Sequence, residues 1–268
     1  MKVTAENTDE IISKIDLNIY SNILLKEAIM NERGYIELVK KVMDTGEVRQ
    51  TRNAKVLSLF GESLKFNLID VFDTTVIPLF TTKKMSLKNI FEELNFFLNG
   101  ETDTKKLEAK GINIWKGNTS REFLDSRNLD YSEGDMGPCY GFQWNHHGAE
   151  YKGCDNDYTG QGFNQIDDCI DLINNDPTSR RILFTALNPS VSHKMALHPC
   201  HILFQFYVRN KDGVKFLDGQ MYQRSADLML GVPYNIVSYS LLIIMVARQC
   251  GIKPGNLNIV FGDVHIYD

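Results

Sequence analysis

The 268 residues carry 34 acidic against 29 basic side chains, a net charge of −5, and 43% of them are apolar. A chain of this length and composition buries a sizeable core, and its mild acidity gives no overall field to draw in nucleic acid. An anionic ligand therefore needs a local cluster of Arg and Lys.

The first 20 residues, with Glu6, Asp9, Glu10, Lys14 and Asp16, lack the basic start and apolar middle of a secretory signal, so a cytoplasmic location is expected. They read as an N-terminal extension over residues 1–20. Residues 21–268 read as one domain, because no repeat, low-complexity stretch or Pro/Gly/Ser linker divides them.

Apolar positions from Leu24 to Val42 predict a helix over 21–44. A polar basic turn holding Arg49, Arg52 and Lys55 follows, and Leu57 to Leu68 alternates as a strand. Ser86 caps a helix that Asn99-Gly100 closes after Leu98, and one of its adjacent acids, Glu92 or Glu93, must face inward. A short charged helix is expected over 103–110, then an irregular polar stretch over 118–135 with a turn of helix near Phe123. An amphipathic helix over 164–174 ends at Asp176-Pro177.

Aliphatic and aromatic runs predict strands at 181–186, 202–208, 213–222 and 257–260. Residues 236–249 read as a buried helix stopped by Gly251 and Pro254. The longest nearly uninterrupted apolar run, Leu241 to Ala247, falls well short of the roughly 20 residues that span a bilayer. Helices and strands without regular alternation make this an α+β fold, a mixed sheet packed against helices.

Of the five cysteines, Cys139, Cys154, Cys169, Cys200 and Cys250, none has metal-ligand spacing, and a reducing compartment keeps them as thiols. Cys200 stands just ahead of the strand 202–208, where a rigid sheet can aim a side chain into a cleft. Nearby cations turn a thiol into a nucleophile by holding its thiolate, and Arg180, Arg181 and Arg224 are the candidates. Tandem arginines between a turn and a strand are either a solvated face or phosphate ligands, and Gln223-Arg224-Ser225 offers a third group for such a cradle. Asn235, near the start of the buried helix, is either its N-cap or a reader of a pyrimidine edge. His265 and Tyr267, two residues apart, share one face of a strand.

With these residues in view, the chain resembles the thymidylate synthase family from about Leu25 onward. The resemblance is densest in Asp135-Met136-Gly137-Pro138-Cys139-Tyr140-Gly141-Phe142-Gln143-Trp144, Ser179-Arg180-Arg181-Ile182, Met195-Ala196-Leu197-His198-Pro199-Cys200-His201 and Tyr222-Gln223-Arg224-Ser225-Ala226-Asp227. Gly231-Val232-Pro233-Tyr234-Asn235-Ile236 and the closing Gly262-Asp263-Val264-His265-Ile266-Tyr267 fit as well.

The resemblance implies methylation of dUMP to dTMP with 5,10-methylenetetrahydrofolate as one-carbon donor and reductant, and it implies no metal. Cys200 would add to C6 of the uracil. Arg52, Arg224 and Ser225 would hold the phosphate, joined by Arg180 and Arg181 of a second subunit in a C2 homodimer with its sheet at the interface. Gln223 and Asn235 would serve the base, His265 and Tyr267 the ribose hydroxyl, and Glu93, Tyr140 and His201 the proton transfers. Asp227 would bond the pterin, and Ile114, Trp115, Asn118, Leu230, Gly231 and Tyr234 would line the folate site.

Departures from the family fall at Asn53-Ala54-Lys55, Thr74 to Ile77, Asn95-Phe96, Lys116 and Leu187. The resemblance also implies roughly 50–55 further residues beyond the His265-Ile266-Tyr267 motif, forming strands and a tail that closes over the ligands. On this reading the sequence is either a fragment or one part of a split protein, or it lacks the closing segment. A pyrimidine nucleotide 5-hydroxymethylase and a non-catalytic nucleotide-binding homologue are the alternatives.

Overall fold

The computed structural model describes residues 32–51, 54–70 and 72–268. The N-terminal extension, the first part of the predicted helix 21–44 and Arg52 lie outside them. The rest of that helix is α1, residues 32–45, which buries Tyr35, Leu38 and Val42. The Tyr35 hydroxyl donates to the Leu228 carbonyl (2.9 Å), tying α1 to the end of the chain's longest hairpin.

Seven strands form one mixed sheet. They are β1 (Glu47–Gln50), β2 (Lys55–Phe60), β3 (Ser63–Asn67), β4 (Leu183–Thr185), β5 (His201–Lys211), β6 (Val214–Asp227) and β7 (Lys253–Tyr267). The order is β1-β2-β7-β6-β5-β4, with β3 also paired to β7. Helices α2 (Leu87–Leu98), α3 (Lys105–Glu108), α4 (Arg121–Ser126), α5 (Tyr140–Asn145), α6 (Gln165–Asn175) and α7 (Gly231–Gln249) complete the described elements. The α+β architecture is the expected one.

Two connections put the site where it is. Asp212 and Gly213, both at positive φ (52° and 82°), form the two-residue turn whose twist matches a hairpin, and so join β5 to β6. Helix α7 then crosses over to set β7 parallel to β6, pairing Gln223 with Phe261, Ser225 with Asp263 and Asp227 with His265. The start of β5 and the ends of β6 and β7 therefore meet at one end of the sheet. Gly262 is required there, since a Cβ would stand 2.8 Å from the Arg224 carbonyl oxygen.

Helix α7 is 19 residues long and apolar enough to cross a bilayer. Here it is the core helix. Val232, Ile236, Leu242, Ile243, Val246 and Ala247 are buried with the sheet residues Phe204, Met221, Leu257 and Ile259 in one cluster, each large side chain contributing about 1.5–3 kcal/mol of burial.

Several boundaries differ from those predicted. The basic turn contains β1, paired with β2 as Gln50 to Lys55. The run from Leu57 to Leu68 is interrupted at Gly61 (φ 86°), yet β2 and β3 lie on β7 in a single register, Phe60 opposite Asp263 and Ser63 opposite Val260. Strand β7 has 15 residues where four were expected; it takes in Pro254, read as a helix stop, and Gly255 and Gly262, which allow close approach of its backbone to neighbouring groups. Helix α7 begins five residues earlier than expected, at Gly231, with Leu230 as its N-cap residue. Pro233 is tolerated there because first-turn N–H groups have no helical partner.

Candidate active site

Cys200 is fixed on three sides. Its N–H donates to the Tyr140 hydroxyl (2.8 Å), and its carbonyl accepts from the Arg224 N–H (2.9 Å). The Arg224 side chain folds along the same loop, Nε donating to the Pro199 carbonyl (2.8 Å) and Nη2 to that of His198 (3.0 Å). Burial raises the Cys200 thiol above its ordinary pKa, and the Arg224 guanidinium opposes that rise. Burial also pushes up Cys139, Cys154 (to about 12), Cys169 (to about 12) and Cys250, none of them with a cation in opposition. Cys200 alone among the five thiols combines partial exposure with an opposing cation, the setting of a nucleophile.

Behind the thiol lies a proton-handling cluster. Ser86 caps α2 as expected, accepting from the Asn89 N–H. Of the two acids on that helix, Glu92 pairs outward with Lys110 (2.6 Å), and Glu93 accepts from the Trp115 Nε1–H (2.8 Å). Burial pushes the Glu93 carboxyl up to about 7, with the Trp115 bond opposing. His201 stacks on Tyr140 (centroids 4.4 Å apart, 25°), and burial lowers its imidazole to about 3. It is therefore neutral at any working pH. Glu93 is the group of this cluster that changes protonation near neutrality. Tyr140 itself holds an uncommon φ of 22°, a strained backbone of the kind kept at functional sites.

Tyr239 belongs to this cluster and was not foreseen. Its hydroxyl is 2.6 Å from His201 Nδ1, and the Glu93 carboxylate adds to the burial that raises its pKa. Inside an apolar run its ring reads as core, although it stands one helical turn after Asn235, on the same face. Tyr239→Phe is expected to keep the fold and loosen the His201 ring. Turnover in the reaction that the resemblance implies should fall about tenfold or more at unchanged substrate affinity, and equal turnover in both proteins would remove Tyr239 from the cluster.

The nucleotide candidates gather at the strand ends. Asn235 is inside the first turns of α7, so the N-cap reading is corrected. Its Oδ1 accepts from Gln223 Nε2 (3.2 Å), which also donates to the Ser225 carbonyl. Gln223 is buried, and its Oε1 has no hydrogen-bond partner among the described residues. Such an atom costs about 1–3 kcal/mol until something donates to it. His265 lies opposite Asp227 in the ladder, bonded through Nδ1 to Asp263 (2.8 Å), with Tyr267 edge-on at 5.2 Å. Arg180 and Arg181 are exposed just ahead of β4. Among the described residues no hydrogen bond or ion pair joins either side chain to Cys200 or Arg224.

Of the folate candidates, Ile114 and Leu230 are 50% and 65% exposed, while Trp115 packs edge-on against Phe97 and Tyr140. Asn118 follows in the 3-10 turn Lys116–Thr119. Asp227 Oδ1 accepts the N–H groups of Met229 and Leu230 (3.1 and 2.9 Å), ordering the entry to Gly231. Lys83, also unforeseen, donates to the Met229 and Leu230 carbonyls and sits 5.4 Å over the Tyr234 ring. Among the described residues no three His, Cys, Asp or Glu side chains are placed to hold a metal ion.

Residues 33–268 match the family profile described as thymidylate synthase. The chain belongs to the thymidylate synthase family. It is 49% identical over 239 residues to a thymidylate synthase of Ascaris suum, covering 88% of this chain and 79% of that protein. It is also 50% identical over 238 residues to a bifunctional dihydrofolate reductase-thymidylate synthase of Zea mays, and 48% identical over 238 residues to one of Leishmania amazonensis. Each of these alignments covers 88% of this chain but only 44% and 45% of the respective relative, so the chain spans less than half the length of these bifunctional proteins.

Proposed function

We propose that the chain makes dTMP from dUMP by reductive methylation, through a transient bond between Cys200 Sγ and C6 of the uracil. The observation that carries this reading is the Arg224 guanidinium folded against the loop of the one thiol whose raised pKa a cation opposes.

The residues present suit both ligands. Gln223 Oε1 is a buried acceptor awaiting a donor, beside an Asn235 amide able to read the donor and acceptor of a uracil edge. Cytosine presents the opposite pattern there. Exposed apolar Leu230 stands beside a carboxylate, Asp227, a pairing that suits a flat heterocycle with N–H donors. When bound, 5,10-methylenetetrahydrofolate supplies the one-carbon unit and a hydride.

The chain's own groups do the rest. Arg224 and Ser225 hold the phosphate, and His265 and Tyr267 the ribose hydroxyl. Sulfur addition at C6 makes C5 nucleophilic. Glu93, half-protonated near pH 7 and held by Trp115, moves protons on the base side, while neutral His201 is positioned by Tyr140 and Tyr239. The Trp115 ring excludes water from the reacting carbon, which favours reduction over hydration to a hydroxymethyl product.

We further propose a C2 homodimer in the cytoplasm. The outer face of β4 and β5 exposes Leu183, Leu203 and Tyr207, and Arg180 and Arg181 stand beside it, unpartnered toward their own site and available to a neighbour's phosphate. Five free thiols suit a reducing compartment. Replacing either arginine by Ala should weaken dUMP binding about tenfold or more with little change in melting temperature. Unchanged affinity in both variants would refute the crossing.

Spectrophotometry of dihydrofolate formation with dUMP and methylenetetrahydrofolate tests the activity. Stoichiometric dihydrofolate and dTMP are expected. Tetrahydrofolate with 5-hydroxymethyl-dUMP, or no product at all, would overturn the reading.

A further inference from the structure

Beside the loop that carries Cys200 lies a cavity of about 350 Å³ lined by Phe123, Arg127, Ala196, Leu197, His198 and Arg224. Arg127 is the C-cap of α4. Its Nε is buried and has no hydrogen-bond partner among the described residues, although a buried N–H left without an acceptor is costly. No lining side chain is acidic, and the nearest carboxylate in sequence, Asp125, is taken by Arg121 (2.8 Å).

Arg224, which also lines the cavity, spends two of its N–H groups on the carbonyls of His198 and Pro199. A guanidinium has five, so three are left. Two planar cations and an imidazole thus line a concave space that is apolar on its remaining sides. That is the arrangement that binds a tetrahedral oxyanion by paired charge-assisted hydrogen bonds.

We propose that this cavity is a second oxyanion site, with Arg127 as its principal ligand and Arg224 shared between it and the nucleotide's 5′-phosphate. The proposal rests on the nucleotide reading only for the identity of that neighbouring phosphate. The occupant is either free phosphate or the distal phosphate of a uridine nucleotide longer than the monophosphate. Either would alter occupancy of the main site through the shared guanidinium.

Calorimetric titration of inorganic phosphate into the full chain, alone and with saturating dUMP, decides the matter. The wild type is expected to bind phosphate even when dUMP is saturating. Arg127→Met, which keeps the packing stem, should weaken that binding tenfold or more, and Arg127→Lys should restore part of it, both with dUMP affinity within about twofold of wild type. Complete displacement of phosphate by dUMP, or undiminished binding in Arg127→Met, would overturn the proposal. If dUMP does not bind, the function assigned above fails, and the comparison of wild type with Arg127→Met in phosphate alone still tests the site. dUDP distinguishes the sources: tighter binding than dUMP in the wild type but not in Arg127→Met identifies a distal phosphate, and equal binding identifies the free anion.

Discussion

Cys200→Ser is expected to abolish turnover, by roughly four orders of magnitude or more, while leaving dUMP affinity within a few-fold. The hydroxyl fits the same space, and the groups that bind the nucleotide, Arg224, Gln223 and Asn235, are held by bonds that do not involve the sulfur. What is lost is a sulfur nucleophile whose ionisation the Arg224 guanidinium favours against the effect of burial, since a serine hydroxyl has no accessible anion near neutral pH. Equilibrium binding of dUMP measured beside turnover separates the two effects. A variant that still turns over at a tenth of the wild-type rate would show that the sulfur forms no bond to the base.

Glu93→Gln should have the second largest effect, and it has two readouts with different pH dependence. Turnover is expected to fall about 10²–10⁴-fold, and the limb of the wild-type profile near pH 7 should disappear with the carboxyl that titrates there. Stability should move the other way. Because burial raises the folded-state pKa from the ordinary 4.5 to about 7, the fold favours the neutral acid. That preference is fully present below pH 4.5 and is lost as pH rises through 7. Glutamine is neutral throughout and still accepts from Trp115. The variant should therefore match wild type near pH 4.5 and exceed it at pH 8 by on the order of 2 kcal/mol. Urea midpoints at the two pH values measure this, and a difference independent of pH would show that Glu93 is not desolvated in the fold.

The parts of the fold that were legible are those where a local rule acts alone. Ser86 and Asn99-Gly100 bracket α2 because capping is decided within a few residues, and the outward pairing of Glu92 with inward Glu93 follows from helical geometry. The Asn164 cap and the Asp176-Pro177 stop frame α6 for the same reason. The misjudged parts are those where tertiary contact overrides local preference. The strand read at 257–260 extends in both directions, because Gly255 and Gly262 allow β7 to lie against Asp218 and the Arg224 backbone. Helix α5 carries no amphipathic pattern, since Tyr140, Gly141, Phe142, Gln143 and Trp144 are all buried.

The site divides along the same line. Chemical types with a motif around them, such as Cys200 and Gln223-Arg224-Ser225, were visible in sequence, and the strand register brings them together. Tyr239, Lys83 and Arg127 were not. Each acts through a partner distant in sequence: His201, the Leu230 carbonyl and the cavity wall at Arg224, respectively. No periodicity reports such a pairing.

The central claim is a covalent bond from one particular sulfur, and trapping it is the most direct measurement. The protein incubated with 5-fluoro-dUMP and methylenetetrahydrofolate, then denatured, digested and weighed by mass spectrometry, should carry nucleotide and folate together on the peptide containing Cys200 and on no other. An unmodified Cys200 peptide under conditions where both ligands are bound, or an adduct on any of the other four cysteines, would contradict the account.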